Sequence, residues 1–112
     1  MDITKRRIGD ITILDLKGKL TMDDGAELLR DTVASVVFQG ERKILLNLAE
    51  VPYMDSGGLG QLVRCSIITG KVAGAVKLIN LTSRISDLLT ITKLSNVFDS
   101  FDSEAAALAS FQ

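Results

Sequence analysis

Residues 51–60, VPYMDSGGLG, join an apolar run that predicts a buried strand to an amphipathic run that predicts a helix. Asp55 and Ser56 favour a helix N-cap, because a short side-chain oxygen can accept the unpaired amide hydrogens of a first turn. Gly57 and Gly58 allow a sharp turn and leave those amides unshielded. A phosphate on Ser56 would lie where the partial positive charge of a helix gathers. Two interpretations follow: Ser56 is a switch, or Asp55 or Ser56 is only a cap.

Length and composition predict one globular domain over residues 1–112. Of the 112 residues, 46% are hydrophobic and 24% are charged, with a net charge of −1, a balance typical of a folded domain with a core. The chain has no excess of basic residues to attract phosphate groups, and its aromatic residues are four phenylalanines and one tyrosine, with no tryptophan. We therefore do not expect nucleic acid as a partner. We expect no signal peptide, because no apolar stretch follows the basic residues near Met1, and no membrane span, because no apolar run approaches the length that one needs. We therefore expect a cytoplasmic protein that does not insert into membranes.

The absence of histidine limits the chemistry of the chain. With no histidine and one cysteine, the chain cannot form a Ser-His-Asp triad, a Cys-His dyad or a thiolate or histidine zinc site. The strand–Ser56–helix pattern is similar to a nucleophile elbow, but Met54 stands where that motif needs glycine. Cys65 lies in an apolar helical run, which favours a buried, inert thiol. We expect no enzyme activity, no catalytic residue, no metal site and no cofactor.

The hydrophobic periodicity predicts the element order β-β-α-β-α-β-α-β-α. The predicted strands are residues 2–7, 11–16, 43–48, 76–81 and 97–101. The candidate helix caps are Thr21, Asp23 or Asp24 for the first helix, Asp55 or Ser56 for the second, Thr82 or Ser83 for the third, and Asp102 or Ser103 for the fourth. Helices between strands imply parallel pairs with right-handed crossovers, and the opening hairpin adds an antiparallel edge. The expected fold class is α/β: a small mixed β-sheet of four to five strands backed by about four helices. The Ser56 loop should lie at the carboxyl end of its strand, where sites form in open α/β sheets.

Three local expectations follow from residue spacing. The alternation in residues 11–16 predicts a strand with one solvent-exposed face. Asp23 and Asp24 should lie in the first turn of a helix of about 15 residues, where their charge is favourable, although a cation site is an alternative. Gln61 and Arg64 should be exposed at the start of the second helix. That helix should share one apolar face among Leu59, Leu62, Val63, Ser66, Ile67 and Gly70.

Several of these residues resemble a known family. Val51, Tyr53–Ser56 and Gly58–Gly60, after a Leu-x-Leu strand, resemble the signature loop of STAS-domain anti-sigma factor antagonists. Further matches are Gly18–Leu20, Val76–Leu81, Leu88–Leu94 and Val97–Phe98. The resemblance covers essentially the whole chain and agrees with the predicted element order.

The resemblance implies a binding switch. Unphosphorylated members of the family bind an anti-sigma factor of the GHKL serine kinase type, which releases a sigma factor. The kinase phosphorylates a serine in the loop, which breaks the complex, and a serine phosphatase restores it. Many relatives carry two adjacent hydroxyl residues after the aspartate, but here Gly57 takes the second position, so the implied phosphorylation site is Ser56. The implied partner-binding residues are Thr21, Met22, Asp23, Asp24, Tyr53, Met54, Asp55, Ser56, Gly57, Gly58, Leu59, Gln61 and Arg64.

Two alternatives stay open at this point. The domain could be a non-phosphorylated STAS interaction subunit of a lipid-transport ATPase or a signalling scaffold, with Ser56 as a cap only. The second alternative is an enzyme that uses the Ser56 loop. We expect this alternative to fail, with no activity of the protein in an esterase or nucleotidase screen. Lys19 and Thr21 also depart from the acidic pattern that relatives often show before the first helix, so partner specificity is expected to differ.

Overall fold

A five-stranded mixed sheet with four helices forms the fold in a computed structural model that describes residues 1–112. The strands are β1 (Asp2–Ile8), β2 (Ile11–Lys17), β3 (Lys43–Glu50), β4 (Ala75–Ile79) and β5 (Asp99–Phe101). The helices are α1 (Ala26–Phe38), α2 (Ser56–Gly70), α3 (Ser83–Ile91) and α4 (Glu104–Ser110). The sheet order is β1-β2-β3-β4-β5, with β1 antiparallel to β2 and the other neighbours parallel. The predicted fold class is confirmed.

The order of the strands places β3 at the centre of the sheet. Leu14 of β2 pairs with Leu46 of β3, and Leu46 pairs with Leu78 of β4. These three side chains are fully buried, so a continuous apolar row crosses the middle strands. β5 is shorter than the predicted residues 97–101, because Val97 lies in a turn in which its amide donates to the Leu94 carbonyl at 2.9 Å.

The two faces of the sheet are covered unequally. The larger apolar cluster packs the sheet against α1, α2 and α3. The smaller one joins Ile11, Ile13, Leu45 and Ile79 to Ala107 of α4. The expectation that β2 has one solvent-exposed face is wrong, because β2 is an interior strand and residues 11–14 are all buried.

Arg6 connects the first strand to the last helix. Its guanidinium donates to both carboxylate oxygens of Asp15, at 2.7 and 3.2 Å, and also to Glu104. Asn47 donates to Asp15 at 2.8 Å, and Asn80 donates to Asn47 at 3.0 Å. The hydrogen bond from Arg6 is the main reason that the pKa of Asp15 lies below its ordinary value. The result is a polar row across β1, β2 and β3 that also anchors α4.

The start of α1 differs from the prediction. Residues 21–24 form a turn in which the Thr21 amide donates to the Asp24 carbonyl at 2.7 Å and the Asp24 amide donates back at 3.1 Å. Gly25 follows with a φ of 90°, and no side chain caps the helix. The prediction that Asp23 and Asp24 lie in the first helical turn is therefore wrong. The α1 helix ends at Phe38, and Gly40, two residues further on, has a φ of 102°.

The buried face of α2 also differs from the predicted one. The side chains that enter the core are Leu59, Leu62, Cys65 and Thr69. Ile67, predicted to share the apolar face, is half exposed. The inward face is set by the contact of α2 with both the sheet and α1, which the α2 sequence alone does not fix.

Candidate functional site

Two loops meet at the carboxyl ends of β2 and β3. The first is residues 18–25, between β2 and α1, and the second is residues 51–55, between β3 and α2. The Leu20 amide donates to the Tyr53 carbonyl at 3.0 Å, and the Asp55 amide donates to the Leu20 carbonyl at 3.4 Å. These bonds extend the parallel pairing of β2 and β3 past the ends of the strands, so the two loops form one surface.

Asp55 has two structural roles at this surface. As the N-cap of α2, it accepts a hydrogen bond from the Gly58 amide through Oδ1 at 2.8 Å. The Met22 amide of the other loop donates to both carboxylate oxygens, at 3.1 and 3.2 Å. The carboxylate thus satisfies one amide at the start of the helix and binds the two loops together. Of the two cap candidates in the sequence, Asp55 is the cap.

Ser56 is the first residue of α2, and its side chain is exposed. With the capping role taken by Asp55, the Ser56 hydroxyl makes no hydrogen bond to the protein. The amides of Ser56 and Gly57 likewise lie in the first turn, where an α-helix has no acceptor of its own for them. The hydroxyl therefore stands at a helix N-terminus beside two amides that are available to an external acceptor.

The two glycines after Ser56 are required by close approach of the other loop. A Cβ atom on Gly58 would lie 1.9 Å from the Leu20 carbonyl oxygen. A Cβ atom on Gly57 would lie 2.6 Å from Met22 Cβ and 2.9 Å from Met22 Cε. The space that a side chain at position 57 would need is thus occupied by the side chain of Met22.

The other residues predicted for the second loop and the start of α2 fall into two groups. Tyr53 is 42% exposed and available for contact. Met54, Gly58 and Leu59 are buried, so they support the conformation of the loop and are not available to contact a partner. The structure therefore separates the residues that could contact a partner from those that support them.

The remaining predicted residues lie around this loop. Asp23 and Asp24 are exposed in the turn before α1, and Thr21 is partly buried there. Arg64 is exposed on α2, as expected. The expectation that Gln61 is exposed is wrong, because its side chain is half-buried and its Oε1 atom is buried without a hydrogen-bond partner.

A groove beside the Ser56 loop was missed by the sequence reasoning. It has a volume of about 380 Å³ and lies between the loop and α3, lined by Tyr53, Met54, Arg84, Asp87, Leu88 and Ile91. The Arg84 guanidinium lies 5.8 Å from the centre of the Tyr53 ring. The α3 residues recur at three- and four-residue spacing, which is the signal that could have identified a shared face.

Cys65 lies outside this surface. The thiol is buried in the core against the sheet, and burial raises its pKa to about 12. A thiol with this pKa is protonated at neutral pH and is a weak nucleophile. The prediction of a buried thiol is confirmed.

The sequence matches the STAS domain family over residues 2–107. The chain belongs to this family. Among relatives of the STAS domain, the anti-sigma-B factor antagonist of Bacillus subtilis is 36% identical over 74 residues, which is 66% of this chain and 67% of that protein. The resemblance stated from the sequence is confirmed at the level of the family.

Solved structures show the same fold. TM1081 of Thermotoga maritima has a TM-score of 0.90 and 23% identity, covering 96% of this STAS domain and 92% of that chain. The phosphorylated form of the Bacillus cell fate determinant SpoIIAA has a TM-score of 0.75 and 20% identity, covering 99% of this STAS domain and 100% of that chain. None of the four helices of this STAS domain has the length and hydrophobicity needed to cross a lipid bilayer.

Proposed function

We propose that this STAS domain is an anti-sigma factor antagonist with a phosphorylation switch at Ser56. It binds an anti-sigma factor of the GHKL serine kinase type in the cytoplasm and thereby releases a sigma factor. The kinase phosphorylates Ser56, which breaks the complex, and a serine phosphatase restores the binding form. The observation that carries the proposal is the exposed Ser56 hydroxyl, which has no structural role because Asp55 caps the helix.

The local charges support a switch at this position. Phosphorylation adds a charge of about −1.5 to −2 at pH 7. On the isolated domain, the unpaired amides of Ser56 and Gly57 and the N-terminus of α2 stabilise that charge. In a complex the same phosphate would be buried against the partner next to the Asp55 carboxylate, at a cost in repulsion and desolvation. Phosphorylation therefore favours the free domain over the complex.

The proposed contact surface surrounds the serine. Met22, which is 62% exposed, and Tyr53 provide apolar contact area. Polar contacts around them come from the turn at Thr21–Asp24 and from Arg64, which lies in the middle of α2. The domain performs no chemistry in this proposal, since the transferred phosphate comes from ATP bound to the kinase.

Binding of the purified cognate anti-sigma factor to Ser56 variants tests the proposal. We expect Ser56→Asp to weaken binding by about 100-fold or more, in line with a charge buried in an interface. Ser56→Ala should bind as tightly as the original protein and resist release by ATP. Ser35→Asp is the matched control, because Ser35 is an exposed serine on α1, and it should leave the dissociation constant unchanged. A Ser56→Asp protein that binds with unchanged affinity would refute the switch.

Mass spectrometry identifies the phosphorylated residue directly. After incubation with the same anti-sigma factor and ATP, the phosphate should be found on Ser56 and be absent from the Ser56→Ala protein. The alternative, a non-phosphorylated interaction subunit of a transport ATPase or a scaffold, predicts no phosphate on any residue. It also predicts that Ser56→Asp leaves binding of the domain to that ATPase or scaffold unchanged.

A further inference from the structure

The groove between the Ser56 loop and α3 has properties of a protein-binding surface. Its floor is apolar, formed by buried Met54 and half-buried Leu88. Tyr53 and Ile91, which are 42% and 78% exposed, stand beside it. Two of the nine large hydrophobic residues exposed on this protein thus face the same groove. Exposed apolar side chains that cluster in this way mark an interaction site more often than isolated ones do.

The shape of the groove favours a protein over a small molecule. A site for a small ligand buries most of the ligand surface in a largely apolar cavity that carries a few convergent polar groups. This groove is open to solvent along its length and has two charged residues, Arg84 and Asp87, both from α3. An open apolar groove with charges at its side is suited to an amphipathic helix that inserts apolar side chains.

The two charged residues indicate the chemistry of that helix. Arg84 and Asp87 take part in no ion pair within the domain, whose seven ion pairs lie elsewhere. The only close aromatic contact of the Arg84 guanidinium is with the Tyr53 ring. A carboxylate on the partner opposite Arg84 would be complementary in charge, and such a pair fixes the orientation of the bound helix.

We propose that this groove is a second part of the anti-sigma factor interface. It would bind a helix of that partner which presents an apolar side chain to Tyr53, Leu88 and Ile91 and a carboxylate to Arg84. This inference rests on the proposed function and extends it, because no residue of α3 was among those expected to bind the partner. Tyr53 and Met54 of the groove lie only three and two residues before Ser56 in the chain, so one partner surface can contact both.

Two variants in the groove and one outside it test the inference by measurement of the dissociation constant for the cognate anti-sigma factor. Ile91→Ser and Arg84→Glu should each weaken binding by about tenfold or more, as expected for truncated or reversed anchors. Phe38→Ser is the matched control, because Phe38 is 93% exposed at the end of α1, and it should bind with unchanged affinity. The loss caused by Arg84→Glu should decrease between 0.1 and 1 M salt, about the range over which the Debye length falls from 10 to 3 Å.

The outcomes separate this inference from the proposed function. If Ser56→Asp abolishes binding while Ile91→Ser and Arg84→Glu bind within twofold of the original protein, the groove is not part of the interface and the inference fails alone. If the groove variants lose binding and Ser56→Asp does not, the groove stands and the phosphorylation switch fails. If the unmodified protein does not bind the anti-sigma factor, both proposals are wrong. All three groove and control positions are on the surface, and circular dichroism spectra should show the same fold for each variant.

Discussion

Substitution of Gly58 by alanine tests whether the two loops at the Ser56 surface are held together as described. The added Cβ atom would lie 1.9 Å from the Leu20 carbonyl oxygen and 2.7 Å from the Leu20 carbonyl carbon. Ordinary contact begins near 3.4 Å, so the loop at residues 18–25 must retreat by about 1.5 Å. The obstacle is backbone, which cannot rotate away as a side chain can.

The displacement of residues 18–25 lowers the free energy of unfolding by an amount that can be estimated from the hydrogen bonds it breaks. The Leu20–Tyr53 and Asp55–Leu20 backbone hydrogen bonds would be lost, and the bond from the Met22 amide to Asp55 would be weakened. At about 1 kcal/mol each, these bonds sum to about 3 kcal/mol. Alanine regains about 1 kcal/mol over glycine in a helix. We therefore expect Gly58→Ala to lower the free energy of unfolding by about 2 kcal/mol.

Urea unfolding followed by circular dichroism measures this change, with Gly60→Ala as the control. Gly60 lies on the same helix and has no atom within 4 Å of the position of its Cβ. Its substitution should raise the free energy of unfolding by about 0.5–1 kcal/mol through helix propensity alone. Equal stability changes in the two variants would refute the close approach of Leu20 to α2.

Four further predictions concern the cap, the core and the polar row. Asp55→Ala should lower the free energy of unfolding by about 1–2 kcal/mol in urea, because a helix cap and a loop contact are lost together. Thr12→Val should raise it by about 1 kcal/mol, since the Thr12 hydroxyl is fully buried without a partner; an unchanged midpoint would argue against an unpaired hydroxyl. Cys65 should not react with Ellman's reagent at pH 8 until urea unfolds the protein, because its pKa is about 12. Hydrogen bonding from Arg6 lowers the pKa of Asp15 in the folded state, so its stabilising effect should be complete above about pH 5 and decline as the pH falls through about 4 and below. Asp15→Asn should therefore cost stability at pH 7 and cost less near pH 2, and a constant cost across that range would contradict the assignment.

The order of helices and strands could be predicted because it depends on local periodicity. The central apolar run of β3 and the cap residues Asp55 and Ser103 have their effect within a few residues of chain. The start of α1 was placed too early for the opposite reason. Its boundary is set by the mutual hydrogen bonds of Thr21 and Asp24 and by the positive φ of Gly25, which compete with the helix-favouring charges seen in the sequence.

The composition of the site could be predicted only in part. The Ser56 loop was identified because its cap and glycines lie within one short stretch. The contact between Met22 and Gly57 joins residues that are far apart in the chain, and no local pattern indicates it. The groove beside α3 is similar, since Arg84 and Ile91 acquire their significance only when α3 packs beside Tyr53. The hydrophobic periodicity of a sequence does not indicate tertiary contacts of this kind.

The position of α4 after all five strands in the chain has a consequence for the synthesis of the protein. The ribosome releases α4 after all five strands, so the surface formed by Ile13, Leu45 and Ile79 has no helix to cover it until residues 104–110 have emerged. Newly made chains would expose this apolar surface and depend on rapid completion, or on chaperones, to avoid aggregation. Fragments that end before Glu104 should accumulate in inclusion bodies, whereas the loop with Ser56, on the opposite cluster, is supported by helices made earlier.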